Sequence, residues 1–262
     1  MTKAGSAGGT DGARTLLRLL ASLARSHDPL SIDELTEENH LAPAAARRAL
    51  LALTQEGFAA VDLGSGQYIV GPKFIQLAKL TRSTHLLERE IRPVIHELAQ
   101  AACETVTFNT YVPGATSAVC MLVEESPAPL HYAVEVGEMK PLHAGSSGRA
   151  ILAHLSDEEI QSYIERTGLP ALTTRTITNP EILWREIRKI RKKGYALSRG
   201  QRLDGAVAIA GSVFDGDGVI HASLVLTVPA YRYRLADADR LTTLVMETAA
   251  RISDLMRASG AP

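Results

Sequence analysis

Cysteine is scarce in this sequence, and long apolar runs are missing. The 262 residues include only two cysteines, Cys103 and Cys120, and neither stands in a CxxC or Cys/His spacing. This excludes a disulfide scaffold and a zinc finger, and we expect the chain in the reducing cytoplasm. The longest apolar runs, such as residues 219–228, have the length of a strand and fall short of the ~20 residues that span a bilayer. A membrane-spanning protein is therefore not predicted.

The chain also lacks a strong charge of either sign. Its formal net charge is −1 at pH 7, and between residues 14 and 55 five basic residues face five acidic ones. Any recognition of nucleic acid must therefore depend on where the basic residues lie and not on their sum. Residues 1–12 contain no apolar segment of the kind found in a signal peptide, and they are predicted to form a flexible tail.

Three helices are predicted in the first 56 residues. Leucines at helical spacing give residues 14–24 one broad apolar stripe. Ser31 and Glu34 fit a capping box, in which each residue caps the other, so a second helix follows to about residue 39. Pro43 suits the first position of a third helix, which is expected to run to residue 56 and to end at Gly57.

Two short strands follow the third helix. Residues 58–61 and 67–70 have strand composition and flank the turn at residues 64–66, which predicts a hairpin. Three helices followed by a hairpin form a winged helix-turn-helix, and we assign this fold to residues 13–71. Winged helices of this kind place their third helix in the major groove of DNA.

The third helix carries the residues that we expect to contact DNA. Ala44 and Ala45 allow a close approach to the groove, while Arg47 and Arg48 can reach phosphates or guanine edges. Ser65 lies at the tip of the predicted wing and completes the set. A solvated helix face is the other interpretation of the arginine pair, and the order of the elements favours DNA binding over it.

The remainder of the chain has the pattern of an α+β sensor domain. A helix over residues 72–85 is expected to link it to the winged helix, and the sensor is assigned to residues 86–258. Helices are predicted before, between and after the strands of one mixed sheet, which is not a βαβ nucleotide fold. The predicted strands are residues 105–111, 117–123, 130–136, 195–198, 207–214 and 219–228. Because no GxGxxG or P-loop follows a strand, and residues 215–218 fit a hairpin turn better than a calcium loop, we expect neither cofactor nor metal.

The most unusual local run is residues 142–150. Four small residues, Gly145 to Gly148, precede a helix that is predicted over 149–155, and exposed N–H groups at such a helix start can bind an anion. The spacing does not match the G-x-S-x-G of a nucleophile elbow. A tight strand-to-helix connection that needs glycine is the alternative explanation, and His143 is interpreted as a packed histidine.

Taken together, these segments resemble the IclR family of bacterial transcriptional regulators over about residues 13–255. The resemblance rests on AAARR at 44–48, EGF at 56–58, YIVGP at 68–72, LHA at 142–144, SGRA at 147–150, TITNP at 176–180, RKKGYA at 191–196 and AIA at 208–210. It implies a homodimer, often a dimer of dimers, whose winged helices read a palindromic operator. It also implies a GAF-like C-terminal domain that binds a small organic effector, commonly a metabolite of an adjacent catabolic operon.

The resemblance also implies where the effector binds. The matching positions in this chain are Leu142, Ser146, Ser147, Ser198, Ala206, Ala208, Val225 and Thr227. Two departures from the family pattern matter: residues 198–202 read SRGQR where many members have acidic residues, and Val225 stands where a serine is known. A carboxylate effector would suit the helix start near Ser146.

Two other functional classes remain open at the level of sequence. The second half could be an enzyme under the control of the winged helix, although no nucleophile, base or metal-ligand set has the required spacing. The chain could also act as a sensor through protein contacts. We predict a DNA-binding transcriptional regulator and not an enzyme.

Overall fold

The computed structural model of the protein describes residues 7–26, 28–62, 64–80 and 87–259. Contacts divide the chain into two units, Met1–Thr84 and His85–Pro262. The predicted change from linker to sensor at residues 85 and 86 lies outside the described residues, as does the tail over residues 1–6.

The first unit has the element order of a winged helix-turn-helix. Its elements are α1 (Ala7–Arg25), α2 (Ile32–Asn39), α3 (Pro43–Gln55), β1 (Ala59–Val61), β2 (Tyr68–Val70) and α4 (Pro72–Leu80). The two strands pair antiparallel, with Ala60 opposite Ile69. The flexible tail is wrong for residues 7–12, because α1 begins at Ala7. Once the leucine stripe of α1 has formed a helix, each added residue gains a backbone hydrogen bond, and the helix extends toward the N-terminus.

Local capping and a small apolar core hold this unit together. The Ser31 hydroxyl accepts a bond from the backbone N–H of Glu34, and the Glu34 carboxylate accepts one from the N–H of Ser31 at 2.7 Å. This is the predicted capping box at the start of α2. The core side chains come from all three helices: Leu19, Leu23, Leu35, Ala46, Leu50 and Leu53 are buried.

The second unit is built on one six-stranded sheet. It begins with a π-helical turn (Leu87–Ile91) and α5 (Arg92–Ala102), followed by β3 (Thr105–Tyr111), β4 (Ser117–Glu124), β5 (Met139–Pro141), α6 (Gly145–Leu152), α7 (Asp157–Thr167), α8 (Pro180–Lys193), β6 (Tyr195–Arg199), β7 (Ala206–Phe214), β8 (Ile220–Pro229), a 3-10 turn (Leu235–Asp237) and α9 (Ala238–Ser259). The strand order is β5-β4-β3-β8-β7-β6.

The sheet is antiparallel throughout its described pairs, so the expectation of mixed strand directions is wrong. Short turns join β3 to β4, β6 to β7 and β7 to β8, and strands joined by short turns run antiparallel. The α+β class of the fold is confirmed.

Apolar and polar residues alternate along β3, so the two faces of the sheet differ in polarity. On β3, Val106 and Phe108 pack with α5 and α9 in the main apolar core. Successive side chains of a strand point to opposite faces, so Thr107 and Asn109 lie on the other face. That face is covered by α6, which contacts β6, β7 and β8. Buried polar side chains are therefore concentrated beneath α6.

Two predicted elements are placed differently. Residues 130–136 form no strand, and the strand next to β4 is β5, in which Pro141 pairs with Ser117. Leu130 and Val136 remain 65% and 62% exposed, so the sheet does not bury the apolar side chains of this segment. The helix predicted over 149–155 is α6, which begins four residues earlier at Gly145. Across the described ranges, no helix combines the length and the apolar character needed to cross a membrane.

Candidate DNA-binding face and effector pocket

The exposed face of α3 carries the side chains that were predicted to contact DNA. Ala44, Arg47 and Arg48 are exposed, and Ala45 is half-buried. The opposite face of α3 packs into the core. The helix therefore presents small residues at its start and two guanidinium groups one turn later.

Neither arginine on this face has a partner in the part of the chain that the structure describes. Arg25, by contrast, forms an ion pair with Glu38 at 3.2 Å. The acidic residues of α2 thus neutralise an arginine outside the α3 face. Arg47 and Arg48 remain available for phosphates or base edges, with which guanidinium groups form bidentate bonds.

A groove between α1 and α3 adds two basic residues near Arg48. Its volume is about 600 Å³, and Arg14 and Arg18 of α1 line it together with Arg48 and one acid, Asp11. Arg14 and Arg18 are two of the five basic residues between positions 14 and 55, and neither was predicted to contact DNA. Their i, i+4 spacing on the face opposite the leucine stripe was the signal that could have placed them here.

Ser65, in the turn of the wing, forms hydrogen bonds within that turn. The backbone N–H and the hydroxyl of Ser65 both donate to the Asp62 carboxylate at 2.8 Å. These bonds lower the pKa of Asp62. Ser65 is exposed at the tip, as predicted, and its hydroxyl closes the turn.

A small cavity lies between α6 and the sheet in the second unit. Its volume is about 40 Å³, and it groups six of the eight predicted effector residues: Ser146, Ser147, Ser198, Ala206, Ala208 and Val225. The other lining residues are Lys140, Gly145, Arg202 and Leu203. Side chains from β5, α6, β6, β7, β8 and the β6–β7 loop therefore meet at one point.

The other two predicted effector residues lie elsewhere. Leu142 is buried in a separate apolar cluster and lines a different cavity of about 260 Å³ beside Tyr111 and Tyr163. Thr227 stands in the middle of the sheet, opposite Ala208 on one side and Thr105 on the other. Neither lines the cavity beneath α6.

The start of α6 faces this cavity without a side-chain cap. The residue before the helix, Ala144, makes no capping bond, so the first N–H groups rely on other acceptors. The Ser146 hydroxyl is among the buried groups that have no hydrogen-bond partner within the described residues. The position combines a helix N-terminus with an unsatisfied buried hydroxyl, which suits an anion.

Glycine at position 148 has a steric reason. A Cβ added there would come within 2.3 Å of the Cα and carbonyl oxygen of Leu142. The connection from β5 into α6 therefore needs Gly148 for close packing of two backbone segments. The segment from Gly145 to Gly148 therefore contains both the close backbone contact and the uncapped start of α6.

Lys140 lines the cavity but was not among the predicted effector residues. It is 4% exposed, and within the described ranges its ammonium group donates only to the hydroxyl of Thr107, at 3.5 Å. Burial lowers its pKa from 10.5 to about 8. The strand period of β5 places Lys140 inward, although the short MKP segment gave no strand signal.

A buried polar network continues from Lys140 across the floor of the cavity. The Asn109 amide donates to the hydroxyl of Thr107 at 3.1 Å and to the carbonyl of Ser223 at 3.3 Å. The hydroxyls of Ser147 and Ser223 lie 2.8 Å apart. The network contains no carboxylate, so the charge of Lys140 is not balanced within it.

Arg202 forms the rim of the cavity. It makes an ion pair with Glu138, and its side chain packs against Gly145, where an added Cβ would lie 3.1 Å from the Cβ of Arg202. Arg149 of α6 anchors the same β6–β7 loop, because its guanidinium donates to the Gln201 side chain at 2.6 Å and to the Leu197 carbonyl at 2.8 Å. The departure noted at residues 198–202 therefore lies in the cavity wall.

His143 is a packed histidine. Its Nδ1 lies 2.6 Å from the Tyr163 hydroxyl and its Nε2 lies 2.9 Å from the Pro170 carbonyl oxygen. Burial lowers its pKa. Both ring nitrogens are engaged in holding residues 163–170 against α6, and neither faces the cavity.

Comparisons with known proteins define the class of the chain. The model of the IclR C-terminal domain of bacterial transcriptional regulators matches residues 78–254. An HTH-type transcriptional regulator of Mycobacterium tuberculosis is 30% identical over 88% of this chain and 87% of its own length. The acetate operon repressor of Salmonella typhimurium is 25% identical over 90% of this chain and 86% of its own length. The protein is therefore a transcriptional regulator and not an enzyme.

Solved structures of IclR-type proteins have the same fold as this chain. An IclR homologue from Microbacterium hydrocarbonoxydans, solved with 4-hydroxybenzoate, superposes with a TM-score of 0.80 at 20% identity, over 94% of this chain and 99% of that one. The chain belongs to the IclR family. Regulators of this family bind DNA and small effectors.

Proposed function

We propose that residues 13–71 bind operator DNA through α3, with Ala44, Ala45, Arg47 and Arg48 on the groove side and Ser65 on the wing. Two exposed guanidinium groups that have no partner among the described residues support this placement. Residues 72–85 link this unit to a sensor over 86–258, and the protein acts as a homodimer or a dimer of dimers on a palindromic operator. Two-fold symmetry of the protein would match two-fold symmetry of the DNA site.

The effector is a small organic carboxylate that binds in the cavity beneath α6. The observation that carries this proposal is the uncapped start of α6, which faces a cavity beside the unpartnered Ser146 hydroxyl. Ser147, Ser198, Ala206, Ala208 and Val225 complete the binding surface. A homologue of the same fold binds 4-hydroxybenzoate, which is also a carboxylate. The regulated genes form a catabolic operon whose metabolite is the effector.

A gel shift with the intergenic DNA upstream of the encoding operon tests DNA binding. At low salt, where phosphate contacts are strongest, the wild-type protein should shift this DNA. Arg47→Ala with Arg48→Ala should weaken binding by at least tenfold, since two contacts of about 1–3 kcal/mol are lost. No shift by the wild-type protein would favour a sensor that acts through protein contacts.

The matched control is Arg185→Ala with Arg188→Ala. Both residues are exposed on α8 in the other unit, and the double change removes the same charge. Equal affinities of the two double variants would show that the α3 face is not the recognition surface.

Calorimetric titration tests the effector class. Candidate organic acids and their uncharged amides are added to the purified full-length protein, and the carboxylates should bind while the amides do not. A series in which only uncharged molecules bind would contradict the proposal.

A further inference from the structure

Lys140 is a buried cation without a counter-charge of its own. Its ammonium group is enclosed by β3, β5 and the start of α6, and its hydrogen bond to Thr107 is long, at 3.5 Å. Among the described residues it makes no ion pair. A buried charge in such surroundings is costly unless an opposite charge joins it.

The groups around the cavity are neutral or positive with one exception. Thr107, Asn109, Ser146 and Ser147 are neutral polar residues, and the thiol of Cys120 is buried nearby with a raised pKa, which keeps it neutral. The start of α6 adds the positive end of a helix dipole. The exception is Glu138, whose carboxylate is bonded to Arg202.

The charged side chains that line the cavity leave one positive charge uncompensated. Arg202 and Lys140 line the cavity with two positive charges, and Glu138, which does not line it, brings one negative charge through its ion pair with Arg202. A ligand with one negative charge therefore neutralises the lining, while a second carboxylate beside Arg202 would approach Glu138. The cavity of about 40 Å³ adds a size limit, since a single water already needs ~10–15 Å³ of such volume.

We propose that Lys140 forms an ion pair with the carboxylate of the effector, and that the Glu138–Arg202 pair restricts the site to compact monocarboxylates. The carboxylate lies between the Lys140 ammonium and the first N–H groups of α6, where the Ser146 hydroxyl donates to it. This inference rests on the proposed function, because it specifies the charge and size of that effector.

The first test compares Lys140→Met with the wild-type protein. Methionine has a similar length and no charge, so the chain should still fold. Acetate, propionate, benzoate, malonate and acetamide are titrated into the full-length protein by calorimetry at constant ionic strength. The wild-type protein should bind at least one monocarboxylate in preference to malonate and acetamide, and Lys140→Met should lose at least tenfold in affinity for it.

The control variant is Lys192→Met. Lys192 is exposed near the end of α8, so this change alters the net charge equally without touching the cavity. Its affinities should equal those of the wild-type protein. Thermal unfolding followed by circular dichroism verifies that each variant is folded before titration.

The second test changes the selectivity. Glu138→Gln removes the negative charge at the rim and leaves Arg202 without its carboxylate partner. The ratio of malonate affinity to monocarboxylate affinity should rise at least tenfold in this variant. An unchanged ratio would show that Glu138 does not restrict the ligand charge.

The remaining outcomes separate the two proposals. Equal monocarboxylate binding by Lys140→Met and the wild-type protein would overturn the role of Lys140 and leave a carboxylate effector intact. Preferential binding of malonate by the wild-type protein would overturn the single-charge limit alone. If acetamide binds and every carboxylate fails, both this inference and the proposed effector class are wrong, and if nothing binds, this inference is wrong.

Discussion

Lys140 has a pKa that differs between the folded and unfolded chain. The ordinary value is 10.5, and burial lowers the pKa to about 8 in the folded protein. Between these values the unfolded chain binds more protons than the folded one, so the free energy of unfolding rises with pH. Below about pH 8 the lysine is charged in both states, and its destabilising effect is constant.

The ligand-free protein should therefore become more stable as pH rises from about 8 to 10.5. This shift in the pKa of Lys140 corresponds to an increase of up to about 3 kcal/mol in the free energy of unfolding. Urea unfolding at several pH values measures it, and Lys140→Met should lack the rise. Cys120 acts in the opposite direction, because its raised pKa makes ionisation destabilising, and its pKa also depends on the charge of Lys140. The difference between wild-type and variant therefore reports Lys140 together with its electrostatic interaction with Cys120. Parallel pH profiles for the two proteins would refute the buried charge.

Gly148 is the glycine that the α6 connection depends on. Gly148→Ala should lower the free energy of unfolding by at least about 2 kcal/mol, because the new methyl group would overlap the backbone of Leu142. Gly216→Ala is the control, since a Cβ there meets only Arg257, at 3.8 Å. Similar unfolding midpoints in urea would mean that the two segments are not packed closely.

The helices begin where local sequence chemistry places them. Ser31 and Ser156 each form a capping box with the residue three positions later, and Asn179 caps α8 through two backbone N–H groups. These interactions are made within four residues, so they depend little on the remainder of the fold. For that reason the starts of α2, α7 and α8 were predictable from sequence.

Ser156→Ala should destabilise the second unit by about 1 kcal/mol, because the N–H of Glu159 loses its acceptor. Ser162→Ala is the control, since Ser162 is exposed within the same helix. Thermal unfolding of the two variants should show a lower midpoint for Ser156→Ala only. An equal effect of both changes would indicate a general response of α7 to alanine.

The strands were less predictable than the helices. The segment 130–136 alternates in polarity but stays outside the sheet, while the three residues of β5 pair with β4 at a sheet edge. Strand pairing depends on partners far away in sequence, and a short strand carries little pattern of its own. Lys140 could not be predicted as a cavity residue for the same reason. Its side chain points inward because it lies on β5, and β5 is too short to be recognised from sequence.

At the scale of the whole molecule, DNA binding and effector binding are thermodynamically linked. If the effector changes the affinity for DNA by some factor, DNA changes the affinity for the effector by the same factor. The link requires that the effector binds one arrangement of the winged helices more tightly than another.

Lys140→Met should therefore give a regulator that binds DNA but whose DNA binding does not change when the effector is added. Its affinity for the upstream DNA without effector should equal that of the wild-type protein, because the change lies in the second unit and not on the α3 face. Addition of the monocarboxylate that the wild-type protein binds should alter the gel shift of the wild-type protein only. A variant that still responds would place the effector elsewhere.

The amino-acid sequence by itself determined the class of this protein. Helix caps, the leucine stripe of α1, the alanine-arginine start of α3 and the glycine-serine run before Arg149 are local signals, and their order identified the family. Six of the eight predicted effector residues meet at one cavity, and the other two, Leu142 and Thr227, lie outside it. Those eight positions came from the resemblance, which transfers positions but not the geometry of a particular chain.

Only the tertiary structure decided the charge of the cavity. Arg202 lies more than 60 residues along the chain from Glu138 and Lys140, and no local pattern relates it to them. The fold removes Lys140 from water and, in the part of the chain that the structure describes, gives Arg202 but not Lys140 an acidic partner. The burial of Lys140 and the ion pair of Arg202 both depend on the assembled sheet and on α6. For this reason the proposed carboxylate site at Lys140 is visible only in the folded protein.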